Sequence, residues 1–548
     1  MRYRRFIFLI SILLLLGPFW VPHVQQIGNH NTFLKSDSVV LIGFALAIGI
    51  FCSLTRKDRM IKMVEKIGGF ISDRSNFIVL VSLSFLFLAL ILINRFVLHS
   101  FMNSGDEHSC YFLAECIRLG KLWVAPHLLH EFFEVVHIGN RDGKWFSVYP
   151  PGWPAIWALA KTVGACDLIN PLMGTIATGI FYVIGKRLYG AGPSLLGIVF
   201  LATSPFYLFN NASYLSHTTC LLMIALFLFA YLNWLDKKGL LWSILVALAL
   251  GYGLGTRYLT MAAIGAPVLT FELFELLRKK KAWHASYLWF GIILTGMIGL
   301  NLYYNYLISG NPFDAPNHYS HSWERLGFHK DYGPLDALIS VLARLFYLID
   351  WFPGIFVIFY LVYLTNKESR EQRNWSFNYG FLFLVIAYTF YYSWGGNQYG
   401  PRYYFEGLPL LTMSVARRLQ LGWQQGDCKG KNFIGAIVLI SLLGSFYQIW
   451  KHSQYFERVS RERKDLYDLV SATAKKPAVV FVKGFLGDTL VMSGQDAVRN
   501  HPGLDTPVLF AHDLGDKNRS LKTYYPERNF YSGSYDRQAK KAILQQLT

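Results

Sequence analysis

The chain has 548 residues, of which 53% are hydrophobic, 17% aromatic and only 16% charged, a balance too apolar for an ordinary soluble enzyme. Fifty-two Lys and Arg against 34 Asp and Glu give a formal net charge of +18 while mean hydropathy stays positive at +0.30. The basic residues therefore interrupt apolar runs instead of covering one polar face, which excludes a disordered chain and a nucleic-acid binder. The six cysteines form no CxxC pair and suggest neither a zinc ribbon nor a disulfide scaffold.

What remains is a mainly α, polytopic transmembrane helical bundle. Hydrocarbon about 30 Å thick needs roughly 20 apolar residues per helix, which gives about thirteen spans. They begin near Phe6, Ser38, Phe77, Leu168, Pro193, Ser216, Leu240, Tyr258, Tyr287, Leu345, Phe377, Tyr403 and Phe433. The first follows Arg2, Arg4 and Arg5, but Gly17-Pro18-Phe19-Trp20 offers no small-x-small cleavage site, so it is read as an anchor. Lys and Arg in short loops are retained on the cytoplasmic side. Arg56, Lys57, Arg59, Lys62 and Lys66 precede the third span, which sends the loop 100–167 outward. Alternation then puts Lys186-Arg187, Lys237-Lys238, Arg278 to Lys281, Lys367 to Arg373 and Arg417-Arg418 inside. Residues 1–450 form the transmembrane unit, with a second outer loop at 309–344 and an extracytoplasmic tail at 451–548. In that tail Arg458 to Ala474 reads as a polar helix. Ala478 to Lys483 and Pro507 to Ala511 read as strands of a small α/β domain docked on the outer face of the membrane.

The outward loop begins with Asn103-Ser104-Gly105-Asp106-Glu107-His108. Adjacent carboxylates at the bilayer edge are costly unless solvated or paired. Partial desolvation leaves Asp106 more basic than a carboxylate in water, as a general base for a hydroxyl needs. The alternative is an N-cap, with Ser104 or Asp106 opening the helix that continues through Tyr111 to Glu115. Further on, Phe132 to Ile138 and Lys144 to Tyr149 flank Gly139-Asn140-Arg141-Asp142-Gly143, a hairpin signal with Asp-Gly at the turn. Tyr149-Pro150-Pro151-Gly152-Trp153-Pro154 then makes a rigid turn back into the bilayer.

Gly251-Tyr252-Gly253-Leu254-Gly255 lies inside an apolar span with no strand before it, so it reads as close helix packing and not as a dinucleotide fingerprint. Arg257, at the next outward turn, is a cation aimed at the site or one that snorkels to headgroups. Asp350, ahead of Pro353-Gly354, is the best candidate for a transport path, or a helix-end partner of Arg344. Near the outer end of the twelfth span stands Trp394-Gly395-Gly396-Asn397-Gln398-Tyr399-Gly400-Pro401-Arg402-Tyr403-Tyr404-Phe405-Glu406. Its glycines admit a ligand close to backbone, and Arg402 can offer a planar fork to phosphate oxygens, unless it pairs with Glu406 at i,i+4. The chain lacks GxxxxGK[ST], HExxH and GxSxG, so phosphate-loop hydrolysis, zincin proteolysis and esterase chemistry are without their usual parts.

The Gly105-Asp106-Glu107 loop, Asp142-Gly143-Lys144 leading into the YPPGWP turn, Gly255-Thr256-Arg257, Asn305 with Gly310-Asn311-Pro312, and Tyr399-Gly400-Pro401-Arg402-Tyr403 occur in an order that resembles the GT-C glycosyltransferases. More narrowly, from about Phe77 to the tail the chain resembles the bacterial relatives of the protein O-mannosyltransferases and the lipid A aminoarabinose transferase. The resemblance implies a polyprenyl-phosphate-linked sugar donor, a glycan, lipid or protein acceptor, and action at the outer face of a bacterial cytoplasmic membrane. It implies Asp106 as the base of an inverting transfer, with Glu107 its companion. It also implies Arg402, Arg257 and Tyr403 near the donor phosphate, and Tyr149, Pro150, Pro151, Trp153 and His217 around the substrate. Relatives often carry a further acidic residue where Tyr214-Leu215-Ser216-His217 presents a histidine here. A divalent metal is a candidate cofactor, with His108, His127, His130 and Glu131 as N and O donors whose spacing matches no known site. The competing readings are a transporter and a flippase or ligase of lipid-linked glycans.

Overall fold

The computed structural model describes residues 74–278, 283–320, 326–353, 355–371, 374–393, 395, 398–483, 498–536 and 538–547. The expected spans at Phe6 and Ser38, the basic run Arg56 to Lys66 and the Trp394, Gly396 and Asn397 positions lie outside them. Helix α1 (Ser75–Leu92) is continued by a π-helical turn over Ile93–Val97, and α2 (Gly105–Arg118) opens the loop 100–167. Strands β1 (Ile138–Arg141) and β2 (Lys144–Ser147) pair antiparallel around Asp142-Gly143. Both turn residues have positive φ, 50° and 72°, as a two-residue hairpin turn requires. The expected turn was longer and the expected first strand earlier. Gly139 to Arg141 belong to β1, and Phe132 lies in a short 3-10 helix (His130–Phe132).

The bundle follows as α3 (Gly152–Thr162), α4 (Cys166–Tyr189), α5 (Ala191–Ala202), α6 (Pro205–Ala212), α7 (His217–Lys237), α8 (Leu240–Leu254), α9 (Tyr258–Leu277) and α10 (Ala285–Ser309). After it come α11 (Pro316–Ser320), α12 (Pro334–Ile349), α13 (Ile355–Leu364), α14 (Trp375–Asn378), α15 (Gly380–Thr389) and α16 (Leu408–Gln425). Among the described residues six helices are long and apolar enough to cross a membrane, or seven if α5 and α6, bent by 65°, are one broken span. The expected starts within the described residues each fall on or beside a helix, but α8, α13 and α15 are short for a span. The chain is thus a multi-pass membrane protein. Leu288, Trp289, Ile292 and Leu300 of α10 stay exposed, as lipid-facing side chains do.

Glycines let the helices approach. A Cβ on Gly251 would meet Met297 at 2.3 Å and one on Gly255 would meet Asn301 Oδ1 at 2.4 Å, so this run packs α8 against α10. At one end of the bundle Arg187 donates to Leu232 O (2.9 Å) and pairs with Asp236, while Arg417 meets Glu368 at 2.8 Å. The basic helix ends therefore gather opposite the end that carries Asp106 and Arg402.

Helix α17 (Cys428–Thr473) has 46 residues, so at 1.5 Å per residue it is about 70 Å long. The expected polar helix from Arg458 is its last part. Beyond it β3 (Ala478–Val482), β4 (Val508–His512), α18 (Asn518–Tyr524), β5 (Asn529–Asp536) and β6 (Lys541–Leu547) build a four-stranded sheet in the order β4-β3-β5-β6. The pairs β3–β4 and β3–β5 are parallel and β5–β6 is antiparallel. All five residues of β3 are buried, as a central strand covered on both faces demands. Asp465 of α17 accepts from Ala542 N at 2.5 Å and so ties the helix to the sheet edge.

Candidate active site

A cavity of about 220 Å³ opens where the first turn of α2, the exit of β2, the turns before α7 and α9, and the segment after α15 meet. Asp106, His137, Tyr149, Pro150, His217, Arg257, Tyr388, Arg402 and Tyr403 all line it. The first turn of α2 is set by Ser104, whose Oγ accepts from Glu107 N at 3.1 Å. Glu107 reciprocates: one carboxylate oxygen accepts from Asn103 N (2.5 Å) and Ser104 Oγ (3.2 Å), the other from Tyr214 N at 2.9 Å. This is a variant of the capping box that also bolts α2 to the loop before α7. The two acidic neighbours therefore point apart, and only Asp106 reaches the cavity. Burial pushes the Glu107 carboxyl up, against the pull of the Tyr214 N–H, Arg499 and the Asn103 N–H.

Asp106 Oδ2 accepts from Arg402 Nη1 at 3.0 Å, Oδ1 accepts from the Tyr149 hydroxyl, and His137 Nε2 lies 3.8 Å from Oδ1. Burial by itself would raise this carboxyl, but Arg402, His137 and Tyr149 outweigh it and hold it well below the usual carboxylate range. The expectation of a more basic carboxylate at the membrane edge is therefore corrected. Desolvation is present, but a guanidinium in contact overrides it.

Arg402 does not pair with Glu406. Residues Arg402–Gly407 form a 3-10 helix, whose three residues per turn carry positions four apart onto different faces. Glu406 Oε1 instead sits 2.9 Å from His217 Nδ1 and 3.1 Å from Arg257 Nε. Arg257 is thus a site cation and not a snorkelling one. Tyr403 stacks on Tyr388 with ring centroids 4.4 Å apart and lies 5.8 Å from the Arg257 guanidinium. Gly400, with φ +86°, lets the segment pass Phe206, which a Cβ there would meet at 2.7 Å.

A model of the dolichyl-phosphate-mannose-protein mannosyltransferase family matches residues 159–299. The crystal structure of ArnT from Cupriavidus metallidurans bound to undecaprenyl phosphate aligns with a TM-score of 0.50 at 11% identity, over 84% of this chain and 97% of that one. The chain is similar to ArnT in fold. The archaeal oligosaccharyltransferase AglB from Archaeoglobus fulgidus, in complex with an inhibitory peptide and a dolichol-phosphate, aligns with a TM-score of 0.47 at 10% identity, over 84% of this chain and 70% of that one. No curated protein sequence matches.

Several expected residues sit elsewhere in this chain. Trp153 is buried, donates to Tyr214 O at 2.8 Å and stacks near Trp157, so it braces α3 and does not line the cavity. Pro151 caps α3, and Gly152 N donates to Gly255 O at 2.9 Å, tying the YPPGWP turn to the turn before Arg257. Among the described residues no three His, Cys, Asp or Glu side chains converge on a metal position. His108 is buried toward Arg499, and burial with that cation nearby lowers its pKa to about 3. His130 pairs with Glu134 at 3.1 Å, His127 accepts from Leu129 N at 3.0 Å, and Glu131 meets Lys517 at 3.1 Å. The candidate metal donors are thus dispersed, because successive residues of α2 and its following loop face different neighbours. Asp350 lies 3.5 Å from Lys451 Nζ, while Arg344 donates to the carbonyls of Tyr388, Tyr391 and Ser393, so the expected Asp350–Arg344 partnership gives way to two others. Sequence reasoning missed Arg344 as the residue that shapes the Tyr388–Ser393 wall, and missed His137 and Glu406. Only the i,i+4 proximity of Glu406 to Arg402 drew attention to it, for a pairing it does not make.

Proposed function

We propose that this chain is an integral-membrane glycosyltransferase that moves a sugar from a polyprenyl-phosphate donor to a glycan, lipid or protein hydroxyl at the outer face of a bacterial cytoplasmic membrane. In this reading residues 1–450 form the transmembrane transferase and 451–548 an extracytoplasmic domain. The observation that carries it is one cavity lined by a carboxylate, Asp106, and by two guanidiniums, Arg402 and Arg257. A phosphate leaving group gains charge as its bond to the anomeric carbon breaks, and cations aimed at it stabilise that charge. The acceptor oxygen forms its bond to the same carbon from the opposite face while Asp106 takes its proton. The anomeric configuration inverts, and polyprenyl phosphate departs.

The Asp106–Arg402 pair assigns an order to these events. With Arg402 on it, Asp106 is a poor base. When donor phosphate draws the guanidinium away, the carboxylate loses the contact that depressed it and recovers basicity as the acceptor arrives. ArnT, whose crystal structure holds undecaprenyl phosphate, supports a lipid-phosphate donor by its likeness in fold.

Incubation of the purified chain in proteoliposomes with radiolabelled polyprenyl-phosphate sugar tests the reading. The expected result is transfer of the single sugar to acceptor with inverted configuration. Transmembrane flux without transfer, transfer of a whole glycan, or retention of configuration would overturn it.

A further inference from the structure

Glu406 is fully buried behind two residues that line the cavity, Arg257 and His217, yet no step of the transfer uses it. Its Oε1 lies 3.1 Å from Arg257 Nε as an ion pair without the alignment of a hydrogen bond, and His217 Nδ1 lies 2.9 Å from the same oxygen. The two remaining nitrogens of Arg257 have only long contacts, Nη1 to Ser216 Oγ and Nη2 to the Tyr388 hydroxyl, both at 3.5 Å. Ser216 and Tyr388 line the cavity. A guanidinium paired by charge on its Nε side thus presents its loosely engaged Nη pair where an anion would sit. The planar fork makes two parallel hydrogen bonds to phosphate only when its orientation is set in advance.

The pairing is not a product of local sequence. His217 and Glu406 are 189 residues apart, on α7 and on the 3-10 turn before α16. Burying a carboxylate without exposure is costly unless cations and donors compensate it. Here the compensating group is the cation that faces the cavity.

We propose that Glu406 is a positioning residue for the donor phosphate: its charge draws the Nε side of Arg257 and leaves both Nη groups toward the cavity, with His217 bracing the same carboxylate oxygen. This rests on the reading of Arg257 as a donor-phosphate ligand. Loss of Glu406 leaves Arg257 charged but free to swing toward other acceptors, so anion affinity falls while the rest of the site stays in place. The effect should be largest for a phosphate monoester, which carries more charge than the phosphodiester of the donor.

The test is binding of undecaprenyl phosphate to the full chain in detergent, by titration calorimetry, for wild type, Glu406→Gln, Arg257→Gln and the double variant. Glu406→Gln should weaken binding about tenfold, the scale of one lost close charge pair. The double variant should bind no more weakly than Arg257→Gln, because Glu406 acts only through Arg257. Wild-type affinity in Glu406→Gln, or losses that add in the double variant, would overturn the proposal. If Glu406→Gln does not fold, Glu406→Asp keeps the charge but stops one methylene short of Nε, and the same cycle is read with it. A wild-type chain that does not bind undecaprenyl phosphate removes the donor reading of the cavity itself, whereas wild-type binding with an unaltered Glu406→Gln removes only the role of Glu406.

Discussion

Two arginine–carboxylate pairs face one cavity, and they differ in how firmly the carboxylate is held. Glu406 has no exposed side-chain surface and shares one oxygen between Arg257 and His217. Asp106 keeps 21% of its side chain exposed and spreads its contacts over Arg402, Tyr149 and His137. A fully buried pair resists separation, since each ion left alone would be desolvated without compensation. A pair at the cavity wall can trade one partner for a ligand anion or for water at smaller cost. The same two residue types therefore serve as a fixed mount in one place and as an exchangeable contact in the other.

The largest effect expected is from Asp106→Asn, which keeps the shape of the side chain and leaves the Ser104 cap untouched. Transfer by the purified variant should fall about 10²–10⁴-fold with donor binding retained. Near-normal turnover would break the comparison by making the Asp106–Arg402 pair as structural as its neighbour. Arg402→Lys comes next. An ammonium can still pair with Asp106 but cannot offer a planar fork to phosphate, and activity should drop on the order of 10²-fold in steady-state assays. A variant with normal turnover and donor affinity would reduce Arg402 to a partner of Asp106.

A smaller change sharpens the electrostatics. Asp106 must be deprotonated to act as a base, and its pKa in the free enzyme is depressed, so the acid limb of kcat/KM should lie below the usual carboxylate range. Tyr149→Phe removes a donor to Asp106 and raises that pKa, which moves the limb to higher pH while activity near pH 7 changes little. A pH–rate profile that does not move, or moves the other way, would deny that Asp106 carries the titration. The smallest catalytic effect is expected from Glu107→Gln. An amide nitrogen cannot accept from the donors now on the carboxylate, so thermal unfolding should show a loss of about 1–3 kcal/mol with turnover per folded molecule nearly unchanged. Collapse of turnover at unaltered stability would shift the base from Asp106 to its neighbour.

The sequence by itself determined the helical bundle, the apolar stretches of most spans, a hairpin with Asp142-Gly143 at its turn, the strands at Ala478 and Val508, and a helix cap at Ser104 or Asp106. Each depends on hydrophobic period or turn chemistry within a few residues. It also brought Asp106, Tyr149, Arg257, Arg402 and Tyr403 forward as site residues, and all of them line one cavity. What it could not decide was who faces whom. Arg402 meets Asp106 across 296 residues of chain, and Glu406 meets His217 across 189, because helix packing brings these ends together. The nearer pairing of Arg402 with Glu406 presumed an α-helical turn that the 3-10 geometry replaces. The same holds for Asp106 and Glu107, indistinguishable as adjacent carboxylates until Tyr214, from the loop before α7, takes up one of them and leaves the other to the cavity. Only the tertiary structure sets the charges around a carboxylate, and those charges made Asp106 less basic than its place at the membrane edge implied.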